Sequence, residues 1–370
     1  MRRVTFFCIG PGETIQAVGL AKALSRSKIE CSFITTDNPS AELVEKSGYE
    51  SFNLNKKPPR IIKNSGYNYS PEEAINKIEE KNADVLIICN SKAYSWGFIE
   101  RPPSPKPVIV SLDSNWLFGQ REDVKMPDWI DNFLITFPEK VYKKGLEHYE
   151  IPRKYLDKII PVGFIPSWKI SRKTKKEIRE KFSIKRKEKL IFTYSGIGGT
   201  HENKIMDKVF KALDALHREK GNFKLVYTAP EEKKRPWAIF AKDFLLNPEN
   251  FNRVLGSSDL VIAHQGLSTL FQAIANRTPI ISNIPPKGNY HSGKYHSSFY
   301  EIKVFEELGL CKALLRDLPY AHLLKEAKNL LYNKKSYKKL RSKQKEAFKP
   351  GEKKALRILN KVSGDIKTAS

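Results

Sequence analysis

One sequence pattern occurs twice in this chain of 370 residues: a strand-like apolar run, a glycine-rich turn and a helix-like stretch. The first copy consists of Val4–Ile9, Gly10-Pro11-Gly12 and a helical period through Ile15, Val18, Ala21 and Leu24. The second consists of Leu190–Tyr194, Ser195–Thr200 and Asn203–Leu216. Because a strand that feeds a helix through glycines is the opening unit of a nucleotide-binding fold, the repetition predicts two such folds.

Further apolar runs continue the alternation of strands and helices in both halves. The predicted strands are Ile29–Thr35, Asp84–Cys89, Pro107–Leu112, Phe223–Thr228, Asp259–Ala263 and Pro279–Asn283, and Pro71–Lys81 is a predicted helix. Such alternation indicates parallel sheets covered by helices. We therefore predict an α/β protein with two Rossmann-like domains whose parallel sheets face each other across a cleft.

The domain boundary is predicted near the basic, proline-flanked stretch Pro166–Lys189. Residues 1–165 would form the N-terminal domain and residues 166–370 the C-terminal domain, which would include basic helices over Lys325–Lys361. Ligands of such sheets bind at the carboxyl ends of the strands, so the functional site is expected there.

Positive charge dominates the composition. The chain has 66 Lys and Arg against 41 Asp and Glu, a net charge of +25. This charge attracts polyanions, whether nucleic acid, anionic lipid or phosphorylated small molecules, although a lysine-rich surface alone also explains it. The sequence contains no zinc spacing, RNA-binding aromatic signature or helix-turn-helix, so nucleic acid is not the expected partner.

Location and metal content also follow from the sequence. The apolar runs are strand-sized, far below the roughly 20 residues that a membrane helix needs. The four cysteines are scattered without metal-ligand spacing, and three of them end or lie inside apolar runs, as buried thiols of a reducing compartment would. A cytoplasmic protein is therefore expected.

Polar side chains are concentrated in Ala263–Gln272, directly after a buried strand and at the start of a helix. Ser268, Thr269 and Gln272 are spaced to lie on or near one side of that helix. Backbone N–H groups at a helix start, together with the helix dipole, bind phosphate. The segment thus offers the hydrogen-bonding groups that a nucleotide diphosphate and its ribose require.

Ala263–Pro285 (AHQGLSTLFQAIANRTPIISNIP) resembles the donor-site signature of GT-B glycosyltransferases. The resemblance is greatest to the group that includes the glucuronosyltransferases and the N-acetylglucosaminyltransferase of lipid-linked peptidoglycan precursors. It extends along most of the chain, since Ile9–Glu13 and Ser195–Thr200 are similar to that group's two glycine loops. Pro107–Asn115 occupies the place of its strand and acidic turn, and Pro161-Val162-Gly163 matches the run into its linker.

The resemblance implies roles for individual residues. The predicted donor-binding residues are Gly196, Gly198, Gly199, Thr200, His264, Gly266, Ser268, Thr269 and Gln272, and the predicted acceptor-side loop residues are Gly10, Gly12, Thr14 and Asn115. His264 would touch a donor phosphate. Gln272 stands where the family usually has a glutamate on the ribose, so the charge-assisted hydrogen bond is lost.

An inverting transferase needs a base to remove the proton of the acceptor hydroxyl. The family often has a histidine where this chain has Glu13, so Glu13 is the first candidate and Asp113 the second. The alternative for Glu13 is an acid that only complements the helix dipole. Because GT-B enzymes neutralise the leaving diphosphate with helix dipoles and side chains, neither a metal nor a cofactor is expected.

The expected partners are a nucleotide-sugar donor, most simply a UDP-sugar such as UDP-GlcNAc, and a glycan, lipid-linked or small-molecule acceptor. Tyr290–Glu301 lacks the family's usual Asp-Gln or Gln-Gln pair and has His291, His296, Ser297 and Ser298 as polar substitutes, so the sugar itself stays open. The alternative for the two histidines is that they are ordinary residues of a surface loop. The aromatic stretches Tyr94–Arg101 and Trp116–Phe118 would either contact an anionic membrane or close the core. The alternative functions are a nucleotide-sugar epimerase or hydrolase, a non-catalytic subunit, or a basic nucleic-acid-binding protein.

Overall fold

The computed structural model describes residues 3–54, 71–90, 99–114, 127–147, 153–166, 169–194, 202–229, 232–241, 248–264, 266–284 and 297–367. The chain divides into two compact units. Unit 1 comprises Met1–Ser167 together with Lys349–Ser370, and unit 2 comprises Trp168–Phe348.

Unit 1 is built from alternating strands and helices. In chain order they are β1 (Arg3–Cys8), α1 (Pro11–Arg26), β2 (Glu30–Thr35), α2 (Asn38–Lys46), β3 (Ser51–Asn53), α3 (Pro71–Lys81), β4 (Val85–Cys89), β5 (Val108–Asp113), β6 (Asn132–Ile135), α4 (Glu139–Gly145), a 3-10 turn (Arg153–Lys158) and β7 (Ile159–Pro161). All seven strands are parallel, in the order β3-β2-β1-β4-β5-β6-β7. Strands β4 and β5 are buried throughout, as expected for a sheet with helices on both faces.

The last helix of the chain, α12 (Glu352–Lys367), belongs to unit 1 and packs against α1. The segment that leads into α12 is hydrogen-bonded to the chain just after β7. Phe164 N donates to Lys349 O (2.9 Å), and Gly351 N donates to Phe164 O (2.7 Å). The sequence-based boundary placed this helix in the C-terminal half. The difference arises because a contact between residues nearly 200 positions apart leaves no local signal.

Unit 2 repeats the alternation. Its elements are α5 (Arg172–Lys181), β8 (Lys189–Tyr194), α6 (Glu202–Lys220), β9 (Phe223–Thr228), β10 (Ala238–Phe240), α7 (Pro248–Ser257), β11 (Leu260–His264), α8 (Leu267–Asn276), β12 (Ile280–Ile284), α9 (Ser297–Glu307), β13 (Lys312–Leu315), α10 (Tyr320–Tyr332) and α11 (Lys334–Ala347). The basic stretch predicted to separate the halves contains α5. Its N-cap residue is Ser171, whose side chain accepts a hydrogen bond from Thr174 N.

The six strands of unit 2 are parallel, in the order β10-β9-β8-β11-β12-β13. This order matches the first six strands of unit 1, so each unit has the doubly wound topology of a nucleotide-binding fold. In each unit the second and third strands are added on one side of the first strand, and the fourth and later strands are added on its other side. The prediction of two Rossmann-like parallel sheets is confirmed.

Several local predictions are also confirmed. Helix α3 and strand β9 have the predicted bounds, and the run over residues 325–361 is helical. Cys8, Cys89 and Cys311 are buried free thiols. Within the described ranges no helix combines the length and the apolar character needed to cross a membrane.

Candidate functional site

The carboxyl edge of the unit 2 sheet brings together the ends of β8 and β11, the two parallel strands on either side of the point where the strand order reverses. Tyr194 ends β8 and His264 ends β11, and their rings meet edge to face with centroids 5.1 Å apart. A crevice at such a reversal point is where doubly wound sheets bind ligands. The geometry therefore places His264 at the position in unit 2 where a ligand is expected.

Helix α8 starts beside His264, and no side chain in the described part of the chain caps it. Gly266 is its N-cap residue, in extended backbone (φ 179°, ψ 112°), and the first turn contains no acidic residue. Thr269 is buried, and its hydroxyl is hydrogen-bonded to the Tyr194 hydroxyl at 2.6 Å. The N–H groups of the first turn and the positive end of the helix dipole are consequently available to an anion.

The imidazole of His264 is neutral at neutral pH. Burial, and then the positive charge of Arg316, lower its pKa from 6.5 to about 4. Its Cε1 and Nε2 atoms lie 3.9 Å from where a Cβ on Gly266 would be, so this side of the ring faces the helix start. Its Nδ1 is buried and has no hydrogen-bond partner among the residues that the structure describes. A neutral imidazole can donate one hydrogen bond to an oxyanion at the helix start.

Asn283 and Arg316 extend this edge, although the sequence analysis named neither. Asn283 is fully buried on β12 in register with His264, where its Nδ2 donates to Ala263 O at 3.1 Å. Arg316 follows β13, and its backbone N donates to Ile284 O at 2.8 Å. The available signal for Asn283 was the polar pair Ser282-Asn283 near the end of a strand that is apolar elsewhere. No sequence signal pointed to Arg316, because only the order of the strands brings it near His264.

The remaining predicted donor residues occupy different positions. Ser268 is half-buried in the first turn of α8, and Gln272 lies one turn further along with 2% of its surface exposed. Gly196, Gly198, Gly199, Thr200, His291 and His296 lie outside the described residues, as does Asn115. Among the described donor residues, the structure thus brings together His264, Gly266 and Thr269, with Tyr194 as an unpredicted member.

In unit 1 the first glycine turn is closed by a carboxylate of its own chain. Gly10 has φ +80°, and its N–H donates to Asp37 Oδ2 at 3.1 Å. The buried Thr14 hydroxyl donates to Gly10 O at 2.8 Å, and Gly12 lies within α1. Glu13 Oε2 is 3.5 Å from where a Cβ on Gly10 would be, so Glu13 folds back over the turn.

The second candidate base lies at the same edge of unit 1. Asp113 ends β5 with 1% of its surface exposed, and it accepts a hydrogen bond of 2.5 Å from the Ser111 hydroxyl. Burial and the Cys8 thiol raise the pKa of Cys89, with smaller contributions from Asp113 and Glu13. Both carboxylates are therefore close to one thiol, and this edge is acidic.

No family model matches the sequence. No curated protein matches it either.

Solved structures match it over nearly its whole length. A protein from Listeria monocytogenes assigned as a UDP-N-acetylglucosamine 2-epimerase is 14% identical, with a TM-score of 0.65 over 99% of this chain and 97% of that one. MnaA from S. aureus in complex with UDP is 15% identical, with a TM-score of 0.62 and the same coverage. The spinosyn forosaminyltransferase SpnP is 12% identical, with a TM-score of 0.61 over 98% of this chain and 99% of that one.

These likenesses establish the fold. Two parallel Rossmann-like sheets of this kind are the GT-B architecture, so the predicted resemblance to GT-B glycosyltransferases is confirmed at the level of the fold.

Proposed function

We propose that this protein is an inverting glycosyltransferase that uses a nucleotide-diphosphate sugar, with UDP as the nucleotide. The observation that carries the proposal is the uncapped start of α8 with the neutral His264 beside it, at the reversal point of the unit 2 sheet. Diphosphate suits this position because the helix dipole and the N–H groups stabilise negative charge. The UDP present with MnaA and the transferase activity in the name of SpnP support the choice.

In the proposed reaction, the acceptor hydroxyl loses its proton to Glu13 as its oxygen bonds to the anomeric carbon. The bond from that carbon to the diphosphate oxygen breaks, and the electron pair leaves with the nucleotide. His264 Nε2–H and the first-turn amides of α8 hold the growing negative charge. Gly196, Gly198, Gly199 and Thr200 are proposed to line the same diphosphate, and Ser268 and Gln272 to bind the nucleoside side.

Asp113 is proposed as an orienting acid rather than the base, because it is buried and already accepts the Ser111 hydroxyl. Gly10, Gly12, Thr14 and Asn115 are proposed to shape the acceptor loop. A glycan, a lipid-linked sugar or a small molecule could each supply the hydroxyl, and peripheral contact with an anionic membrane belongs to the lipid-linked case.

The test is the binding of UDP to the purified chain and to His264→Ala. Loss of one hydrogen bond to a charged group costs about 1.5–3 kcal/mol, so the Kd for UDP should rise roughly 10- to 150-fold. His322→Ala is the matched control, because His322 is an exposed histidine in the first turn of α10. Equal UDP affinity in all three proteins, measured by calorimetry, would refute the phosphate role of His264.

Epimerisation or hydrolysis of a nucleotide sugar is the second candidate, favoured by the TM-score of 0.65 with the protein assigned as a 2-epimerase. The two functions separate when a panel of nucleotide sugars is incubated with and without acceptors. A transferase releases nucleotide only when an acceptor hydroxyl is supplied. Conversion of the donor alone, followed by NMR of the sugar, selects the second candidate.

A further inference from the structure

Three cationic side chains of unit 2 converge at the amino edge of its sheet, the edge opposite His264. Lys175 lies on α5, Arg277 follows the last turn of α8, and Arg341 lies on α11. We propose that these three side chains bind a phosphate monoester at a site separate from the proposed donor site.

Hydrogen bonds between the three elements hold this cationic cluster in place. Ile170 N donates to Asn276 Oδ1 at 2.9 Å, which brings the start of α5 next to Arg277. Arg341 Nε donates to the backbone oxygen of Arg277 at 3.0 Å. The guanidinium of Arg341 also lies over the Tyr337 ring, 5.2 Å from its centroid. Two helices and a helix end therefore fix the positions of the charges.

The cluster has more positive charge than its surroundings neutralise. Lys175 is half-buried, and its ammonium has no hydrogen-bond or ion-pair partner among the residues that the structure describes. Burial, and then Arg341, lower the pKa of Lys175, Arg277 lowers it further, and Asp259 opposes the shift. Asp259 is engaged elsewhere, since its Oδ2 accepts from Leu190 N at 2.9 Å and lies 3.5 Å from Arg179.

Two lysines on the same helices have acidic partners. Lys176 of α5 lies 3.6 Å from Glu180, and Lys343 of α11 lies 3.2 Å from Glu346. Holding an ammonium partly out of water beside two guanidinium groups costs free energy unless an anion offsets it. Other lysines of these helices without an ion pair among the described residues, such as Lys173 and Lys338, are exposed to water, whereas Lys175 is half-buried. A half-buried, unpaired ammonium beside two guanidinium groups is therefore the mark of an anion site rather than of a basic surface in general.

The charges and their geometry favour phosphate over carboxylate. A phosphate monoester brings up to two negative charges and three acceptor oxygens, which suits two forked guanidinium groups and one ammonium. Such a group occurs on soluble phosphorylated metabolites and on monoester lipid headgroups. Both sources present the same chemistry to the cluster.

Calorimetry with glycerol 3-phosphate tests the site. The affinity for glycerol 3-phosphate should fall at least tenfold in Lys175→Met and in Arg277→Gln. Because the side chain of Arg277 is exposed, its replacement should not disturb the fold. Lys176→Met is the matched control and should bind as the unmodified chain does. His264→Ala should also bind normally, which separates this site from the donor site. Unchanged affinity in both Lys175→Met and Arg277→Gln overturns the proposal, as does loss of binding only in His264→Ala.

Vesicles distinguish the two sources of the phosphate. Sedimentation is compared for vesicles with phosphatidic acid and for vesicles with phosphatidylserine at the same surface charge. Preferential binding to phosphatidic acid that Lys175→Met abolishes assigns a lipid headgroup. Binding of glycerol 3-phosphate without a preference for phosphatidic acid vesicles assigns a soluble metabolite as the source. Binding to neither glycerol 3-phosphate nor phosphatidic acid overturns the proposal.

A second readout concerns stability without ligand. Because Lys175 is repelled by Arg341 and Arg277, Lys175→Met should unfold at a temperature equal to or above that of the unmodified chain. A lysine whose role was structural would lower it. Lowered thermal stability with unchanged phosphate affinity therefore counts against the site.

Discussion

Units 1 and 2 share one strand order, but the carboxyl edges of their sheets carry opposite chemistry. In unit 1, Asp37 satisfies Gly10 N, and Glu13 and Asp113 lie nearby, so the edge is acidic. In unit 2, the start of α8 has no acid, and His264 and Arg316 lie at that edge. Topology decides where a ligand binds, whereas the side chains after each strand decide which charge is accepted.

This contrast is the reason why the donor diphosphate is proposed to bind to unit 2. A diphosphate beside the carboxylates of unit 1 would be repelled, and the N–H of Gly10 is already bonded. The same carboxylates suit removal of a proton from a hydroxyl. Substitutions in each unit and the pH dependence of stability test this division of roles.

Glu13→Gln should lower turnover about 10²- to 10⁴-fold, the usual contribution of a general base, because the amide cannot accept the proton. The Kd for UDP should stay unchanged, since Glu13 belongs to unit 1. Glu45→Gln is the control, because Glu45 is exposed on α2 of the same unit. Turnover above half of normal in Glu13→Gln would mean that Glu13 only complements the dipole of α1.

Gly163→Ala should destabilise unit 1 without affecting UDP binding. Gly163 has φ +109°, and a Cβ there would lie 2.6 Å from Lys349 O, where the chain returns to α12. The strained backbone alone costs about 1–3 kcal/mol. Urea unfolding measures the loss, and Gly48→Ala is the comparison, with similar φ (+85°) but open space around it. Equal losses in both variants would show that the contact with Lys349 is unimportant.

The pH dependence of stability should report His264. Its folded pKa of about 4 lies below 6.5, so between these values the unfolded state binds more protons and stability rises with pH. The whole contribution, up to about 3 kcal/mol, is present above pH 6.5 and lost as pH falls towards 4. In His264→Gln the free energy of unfolding should change less over this window, and an unaltered profile would contradict a neutral His264.

Gly266→Ala should leave the fold intact and weaken UDP binding a few-fold. Its backbone is extended, which any residue adopts, and the added Cβ would make only ordinary contacts of 3.8–3.9 Å with Tyr194 and His264. The methyl group would nevertheless partly cover Nε2 of His264 at the helix start. Thermal unfolding and calorimetry separate the two effects, and a loss of stability without a loss of UDP affinity would contradict this reading of the site.

Much of the fold was predictable because its signals are local. The buried strands are continuous apolar runs such as Val85–Cys89, and the helix α3 has a proline at its first position and an apolar period. The segment Ala263–Gln272 was recognisable for the same reason, since strand, glycine and helix start are neighbours in sequence. The glycine loop 195–200 was predicted equally early but lies outside the described residues.

Local sequence signals specify two parallel sheets, the helix start at Gly266 and the histidine before it. Long-range packing decided that Tyr194 contacts His264, that Asp37 closes the Gly10 turn, and that α12 returns to unit 1. It also decided the meeting of Lys175, Arg277 and Arg341. Periodicity and turn chemistry act over a few residues, whereas these contacts join residues far apart in the chain and depend on the order of the strands.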